Sequence, residues 1–192
     1  MKTILLTEYE TIRQIYNTYM KQDFPASELK PLAMIRKARK QGRYDCYGMY
    51  EGDVLAGYAF FVKLPAVGKF HYLLDYLAVV DGNRNRGYGS QLLEQLANLI
   101  SDASSMIAEV EDPDYAPDRK EKLERERRLR VYLRNGYRET GVTARVFGVD
   151  YLLLEVFATG PHPDEEIRGI YSEIYKGMVP APMYQTFVKI RS

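Results

Sequence analysis

The residues best suited to do chemistry lie between an apolar run that ends at Val80 and an apolar-periodic segment that begins near Gly87. They read Asp81-Gly82-Asn83-Arg84-Asn85-Arg86-Gly87-Tyr88-Gly89-Ser90. A loop that enters a helix aims a row of backbone N–H groups, lacking partners inside the helix, at one point in space. Arg84 and Arg86 can add charge-assisted hydrogen bonds there. The chemistry implied is the binding of a phosphate or pyrophosphate. A Cβ at Gly87 or Gly89 would hinder close approach of phosphate oxygens, and glycine also permits positive φ. The spacing excludes two common alternatives. A Walker loop needs Gly-Lys-Ser/Thr, a tripeptide absent from this chain. A dinucleotide fingerprint needs three glycines as G-x-G-x-x-G, and this loop has only Gly87 and Gly89 in its second half.

Arg84-x-x-Gly87-x-Gly89, preceded by Leu77-Ala78-Val79, resembles the acyl-CoA motif of the GNAT superfamily of acetyl-CoA-dependent N-acyltransferases. The resemblance implies that backbone groups of Leu77, Ala78 and Val79 meet the pantetheine amides and the thioester carbonyl. It also implies that Arg84, Asn85, Arg86, Gly87, Tyr88, Gly89 and Ser90 wrap the pyrophosphate of acetyl-CoA. A second stretch, Arg130-Val131-Tyr132-Leu133-Arg134-Asn135-Gly136-Tyr137, resembles the family's later signature, in which a helix carries a Tyr four residues before a Gly–aromatic pair. That resemblance makes Tyr132 the proton donor to the leaving thiolate, a task open to a phenol with a pKa near 10.

The proton acceptor is a choice among carboxylates. An amine attacks only as the free base, and at pH 7 roughly one lysine side chain in 2,500 is neutral. Glu109, in Met106-Ile107-Ala108-Glu109-Val110-Glu111, matches a Glu used by some N-terminal acetyltransferases of the family. Strand alternation puts Glu111 on the same face as an alternative, and Asp75 is a third candidate. One position departs from the family: the Asn that many members carry about seven residues before the Tyr is Arg125 here. Either Arg125 or a neighbour replaces that contact, or the helix starts a turn earlier. The alternating Glu/Arg run around it reads as a solvated helix face with i,i+4 pairs. Glu28, in a loop that lines the acceptor side in the family, can pair with a cationic amine or simply favour a helix start. His71 and Cys46 read as packing residues.

The elements that must position these residues are legible as a pattern. Thr3–Leu6 reads as a strand, and Glu8 to about Gln22 as a helix with Thr7 and Glu10 forming a capping box. Ser27–Lys40 reads as a second helix with Pro31 in its first turn. Tyr44–Tyr50 and Val54–Leu64 flank the Glu51-Gly52-Asp53 turn. Strand Phe70–Val80, helix Gly87–Ser101, strand Met106–Glu111 and helix Arg119–Asn135 follow, with Gly136 as C-terminal cap. A hairpin of Val142–Phe147 and Tyr151–Phe157 turns around Gly148-Val149-Asp150. A helix over Asp164–Lys176 and a short extended tail end the chain.

This order is the one expected for the GNAT fold. The expected architecture is mixed α/β (α+β): a central, mostly antiparallel sheet, splayed between its fourth and fifth strands, flanked by helices, with a C-terminal helical extension. A single domain is expected over 1–192, with the core at about 3–157 and the extension at 158–192.

Composition narrows the function classes. The chain has 192 residues and a net charge of +1, which gives no argument for nucleic acid. A single cysteine allows no intramolecular disulfide and suits a reducing, cytoplasmic setting. No apolar run reaches the roughly 20 residues of a membrane span, and no cysteine–histidine spacing suggests a metal. The expected activity is transfer of acetyl from acetyl-CoA to a primary amine, on a small molecule or a peptide, by direct attack in a ternary complex. The alternatives are a non-catalytic CoA or acyl-CoA-binding module on the same fold, or an unrelated α/β domain whose loop holds a nucleotide phosphate. The expected assembly is a monomer or homodimer.

Overall fold

The computed structural model describes residues 1–26, 28–83, 86–157 and 160–191. Its eight strands form one open sheet in the order β1-β2-β3-β4-β5-β7-β6-β8. Two compact units divide the chain. The first comprises Met1–Lys63 and Asp75–Ile100, the second Leu64–Leu74 and Ser101–Ser192.

In the first unit, β1 (Lys2–Leu5) pairs antiparallel with β2 (Tyr44–Glu51), and β2 with β3 (Val54–Ala66). Gly52, at φ 59°, makes the turn between β2 and β3, as its sequence context predicts. The helical stretch near the N-terminus is not one regular helix. It comprises α1 (Tyr9–Ile15), a π-helical turn (Tyr16–Met20) and a short α2 (Lys21–Asp23). The expected capping box does not form. Glu8 is the residue that precedes α1, no side chain caps it, and the Glu10 carboxylate instead pairs with Arg13.

The second expected helix starts later than predicted, as α3 (Leu32–Lys40), with Pro31 outside it in extended conformation. A proline pushes the residue before it out of the helical region. That residue, Lys30, spends its backbone groups elsewhere: its N–H donates to the Tyr76 hydroxyl at 2.8 Å and its carbonyl accepts from the Tyr16 hydroxyl at 2.9 Å. α4 (Tyr88–Leu99) buries Leu92, Leu93 and Leu96, and Gln95 accepts the Thr3 N–H of β1.

In the second unit, β4 (Lys69–Val79, of which Lys69–Leu74 belongs here) makes the sheet's parallel ladder. Phe70–Leu74 pair with residues of β5 (Ala103–Glu111). β5 then pairs antiparallel with β7 (Val149–Phe157), and β7 with β6 (Arg138–Val146). The β6–β7 turn is tighter than predicted. Phe147 (φ 48°) and Gly148 (φ 93°) form it, the two positive φ angles of a type I′ turn. α5 (Arg119–Arg134) opens on Asp118, whose side chain caps Glu121 N–H at 2.8 Å. It ends as predicted at Gly136 (φ 85°), where the Tyr137 N–H turns back to the Tyr132 carbonyl.

The C-terminal segment holds more structure than a helix and tail. α6 (Asp164–Met178) is followed by α7 (Ala181–Phe187) and β8 (Val188–Arg191), which adds an edge strand to β6. The hydrophobic pattern of the last dozen residues is too short to separate a strand from a tail.

Candidate active site

In the first unit, the strand-to-helix turn expected to hold phosphate is built as the sequence suggests. Gly87 immediately precedes α4 in the left-handed conformation, at φ 80°, and no side chain caps the helix start. A Cβ placed on Gly87 would meet nothing within 4 Å, and one on Gly89 would meet only Val79 Cγ2 at 3.8 Å. Among the described residues, no protein atom lies closer than ordinary contact to either Cβ position. This arrangement fits a pyrophosphate held by main-chain donors. Leu77, Ala78, Val79, Tyr88, Gly89 and Ser90 are half-buried, and Arg86 and Gly87 are exposed. Arg84 and Asn85 lie outside the described residues.

Asp75, the third candidate base, sits on β4 with its side chain only 4% exposed. It is fully engaged in structure. Oδ1 accepts from Lys30 Nζ at 2.5 Å, and Oδ2 accepts from the Tyr44 hydroxyl at 2.5 Å. Lys30 Nζ also lies 5.3 Å from the centre of the Tyr76 ring. The Tyr76 hydroxyl donates to the carbonyl of Glu28, whose side chain is exposed. These contacts fix Glu28 and Lys30 to β4. Cys46 is completely buried on β2, and burial pushes its thiol well above the ordinary range, so it is no nucleophile.

In the second unit, Tyr132 lies on α5 with its ring buried and set edge-on to Tyr137, centroids 5.2 Å apart. Its hydroxyl has no hydrogen-bond partner among the described residues. Burial pushes its pKa up to about 12, partly countered by the nearby positive charge of Arg128. The phenol therefore keeps its proton throughout the neutral range.

The two β5 carboxylates go to different partners. Glu111 is taken by α5: Arg125 Nη2 lies 3.2 Å from Oε1, and Arg128 pairs with Oε2. Arg125, buried in spite of its charge, also donates to the Asp112 carbonyl at 3.0 Å and to Glu121 at 3.2 Å. α5 starts at Arg119, as predicted. The predicted i,i+4 pairs are present along the helix at Arg125–Glu121, Arg130–Glu126 and Lys120–Glu124.

Glu109 is taken by α6. Its Oε1 accepts from the Tyr175 hydroxyl at 2.6 Å and from the Tyr171 hydroxyl. Sequence reasoning missed both tyrosines. The signal was present: with Ile167, Ile170 and Ile174 they occupy the apolar face of one helix, and all five are buried. His71, expected to pack, is buried and also polar-bonded, its Nδ1 2.9 Å from Ser105 Oγ.

Among the described residues no group of three or more His, Cys, Asp and Glu side chains could hold a metal ion. Among the described residues no helix is long and apolar enough to cross a membrane.

Many solved structures share the fold. A putative GNAT-family acetyltransferase from Bacteroides thetaiotaomicron superposes with a TM-score of 0.69 at 18% identity, covering 91% of this chain and 96% of its own. A Bacillus subtilis acetyltransferase in complex with CoA gives 0.54 at 16% identity, covering 82% and 98%. A spermidine N-acetyltransferase variant from Vibrio cholerae gives 0.60 at 12% identity, covering 81% and 92%. Among curated protein sequences no relative matches. The sequence profile described as "Acetyltransferase (GNAT) family" matches residues 9–119, more than half of the chain and inclusive of the glycine turn. The chain belongs to the GNAT acetyltransferase family, whose acyl donor is acetyl-CoA.

Proposed function

We propose that this acetyltransferase moves the acetyl group from acetyl-CoA to a primary amine by direct attack, with Glu109 as proton acceptor and Tyr132 as proton donor. In this reading the main chain of Leu77, Ala78 and Val79 and the turn from Arg84 to Ser90 hold the donor. Bound acetyl-CoA supplies the acyl group as a thioester.

Glu109 takes a proton from the acceptor ammonium, so that nitrogen attacks as the free base. Attack forms a C–N bond at the carbonyl carbon, and cleavage of the C–S bond leaves its electron pair on sulfur. Tyr132 gives its phenolic proton to that sulfur and regains one from solvent, the attacking nitrogen sheds its second proton to solvent, and Glu109 returns its own proton there. The products are an amide and the free thiol.

The observation that carries this reading is the state of Tyr132. Its ring is buried, its hydroxyl is without a protein partner among the described residues, and its proton is retained to a pKa of about 12. The buried, high-pKa thiol of Cys46 favours direct attack over a covalent enzyme intermediate.

Thiol release from acetyl-CoA, measured across spermidine, a lysine ester, an alanine-ended peptide and an aminoglycoside, defines the acceptor class. Against the best of these, Tyr132→Phe is expected to lower kcat by roughly 10²-fold or more with CoA affinity unchanged. A variant that kept its rate would remove Tyr132 from the proton-donor role.

A further inference from the structure

We infer that the C-terminal helix is part of the reaction machinery, with Tyr171 and Tyr175 as positioning residues that hold Glu109. The inference rests on the proposed role of Glu109 as proton acceptor. It assigns a task to a segment that lies beyond the residues matched by the family profile, which end at 119.

Tyr171 and Tyr175 are four residues apart, so they project from one face of α6. Their ring centroids are 4.8 Å apart, and both hydroxyls converge on Oε1 of Glu109. Two donors on one carboxylate oxygen fix the plane of the carboxylate and oppose its rotation. They also favour its charged form, since a carboxylate oxygen is a stronger acceptor than the oxygen of a neutral carboxyl. Burial and the neighbouring Glu109 charge raise the Tyr171 pKa well above the ordinary value, so this phenol acts as a donor throughout the neutral range.

The helix that presents the pair is itself anchored. Ile167 and Ile174 are completely buried, and Ile170 nearly so. At the entrance to α6, His162 Nδ1 pairs with Glu155, a carboxylate with no solvent exposure. Arg138 grips that same carboxylate at 2.6 Å and the His162 carbonyl at 2.6 Å. A helix clamped at its start and packed along one stripe delivers two hydroxyls to a fixed point, as a site built on rigid elements requires.

The test uses the full chain. Tyr171→Phe, Tyr175→Phe and the double variant keep the rings and remove the donors. The Glu109 carboxyl is followed by ¹³C NMR titration, its signal assigned by loss in Glu109→Gln. The double variant is expected to titrate roughly one pH unit higher or more, and the acid limb of kcat/KM to move by the same amount. An unchanged Glu109 titration overturns the inference, whatever the rates do. If the double variant fails to fold, Tyr175→Phe alone decides, with a smaller upward shift expected and no shift overturning. Glu109→Gln separates the two readings. If it retains full turnover, Glu109 is not the proton acceptor, even where the titration shows that the tyrosines hold it.

Discussion

Lys30 Nζ lies 2.5 Å from Asp75 Oδ1, across a side-chain surface that is 22% exposed on the lysine and 4% on the aspartate. With the Tyr44 hydroxyl on its other oxygen, Asp75 meets a partner at each oxygen. A carboxylate so engaged fastens Lys30 and Tyr44 to β4. Asp75→Asn is therefore expected to cost about 1–3 kcal/mol of stability, less than a fully buried pair would, while kcat stays within about threefold. Urea unfolding and thiol release measure the two separately. A rate loss near 10²-fold, the usual scale of a lost base, with stability intact would return Asp75 to the list of bases.

Arg125 and Glu111 make the same argument on the other unit. Arg125 reaches Glu111, Glu121 and the Asp112 carbonyl from a buried position, and Arg128 completes the pairing of Glu111. Removing one partner of a buried ion pair leaves an uncompensated charge, typically at about 3–5 kcal/mol. Arg125→Ala is expected near the lower end of that range, because Arg128 still serves Glu111. Arg125→Met, which keeps the apolar stem, is expected to recover part of the loss. Thermal melting decides this. Unchanged melting in Arg125→Ala would mean that the pairings contribute nothing to the fold.

Much of this was legible in the residues. The glycine turn announced itself because two glycines and a strand-to-helix switch are local features, and the left-handed Gly87 is a local consequence. Gly136 after α5 was legible for the same reason. What escaped was non-local. No spacing rule shows that Lys30 and Asp75, 45 positions apart, will meet, or that Glu109 will be claimed by tyrosines 62 and 66 positions away. The late start of the second helix was nearer to reach: Pro31 bars Lys30 from the helix, and placing the proline inside the first turn overrode that constraint. The strand β8 pairs four residues with β6 and is too short for its period to speak.

The two glycines of the turn should separate fold from ligand. Gly87 sits at φ 80° with open space where a Cβ would go, so Gly87→Ala meets strain and no clash. The left-handed conformation costs an L-residue about 1–2 kcal/mol, and melting should fall accordingly. Gly89 lies within α4, and a Cβ there finds only ordinary contact with Val79. Alanine is the better helix former by about 1 kcal/mol, so Gly89→Ala should melt no lower than the parent. If phosphate oxygens approach this backbone, the same variant should bind CoA at least several-fold more weakly in calorimetry. Full CoA affinity in Gly89→Ala would place the pyrophosphate elsewhere.

His71 gives the chain an acid-side dependence whose sign follows from its surroundings. Burial lowers its pKa, and the positive charge that His162 can carry, at 5.6 Å between rings, lowers it further, partly offset by Glu166 and Glu155. The folded-state value lies below that of the unfolded chain, about 6.5. Below that pH the unfolded chain binds more protons than the folded one, so stability falls as pH falls. Its contribution is complete above about pH 6.5 and disappears through the lowered folded-state value. Each tenfold difference in proton affinity amounts to about 1.4 kcal/mol, or about 3–6 °C in a chain of this length. Melting at pH 7.5 and pH 5.5 should therefore show a fall in the parent protein. In His71→Gln, which retains a hydrogen-bonding group toward Ser105, that fall should be smaller. An equal fall in both proteins would mean that His71 is protonated as readily in the fold as out of it, and that its bond to Ser105 does not depend on a neutral ring.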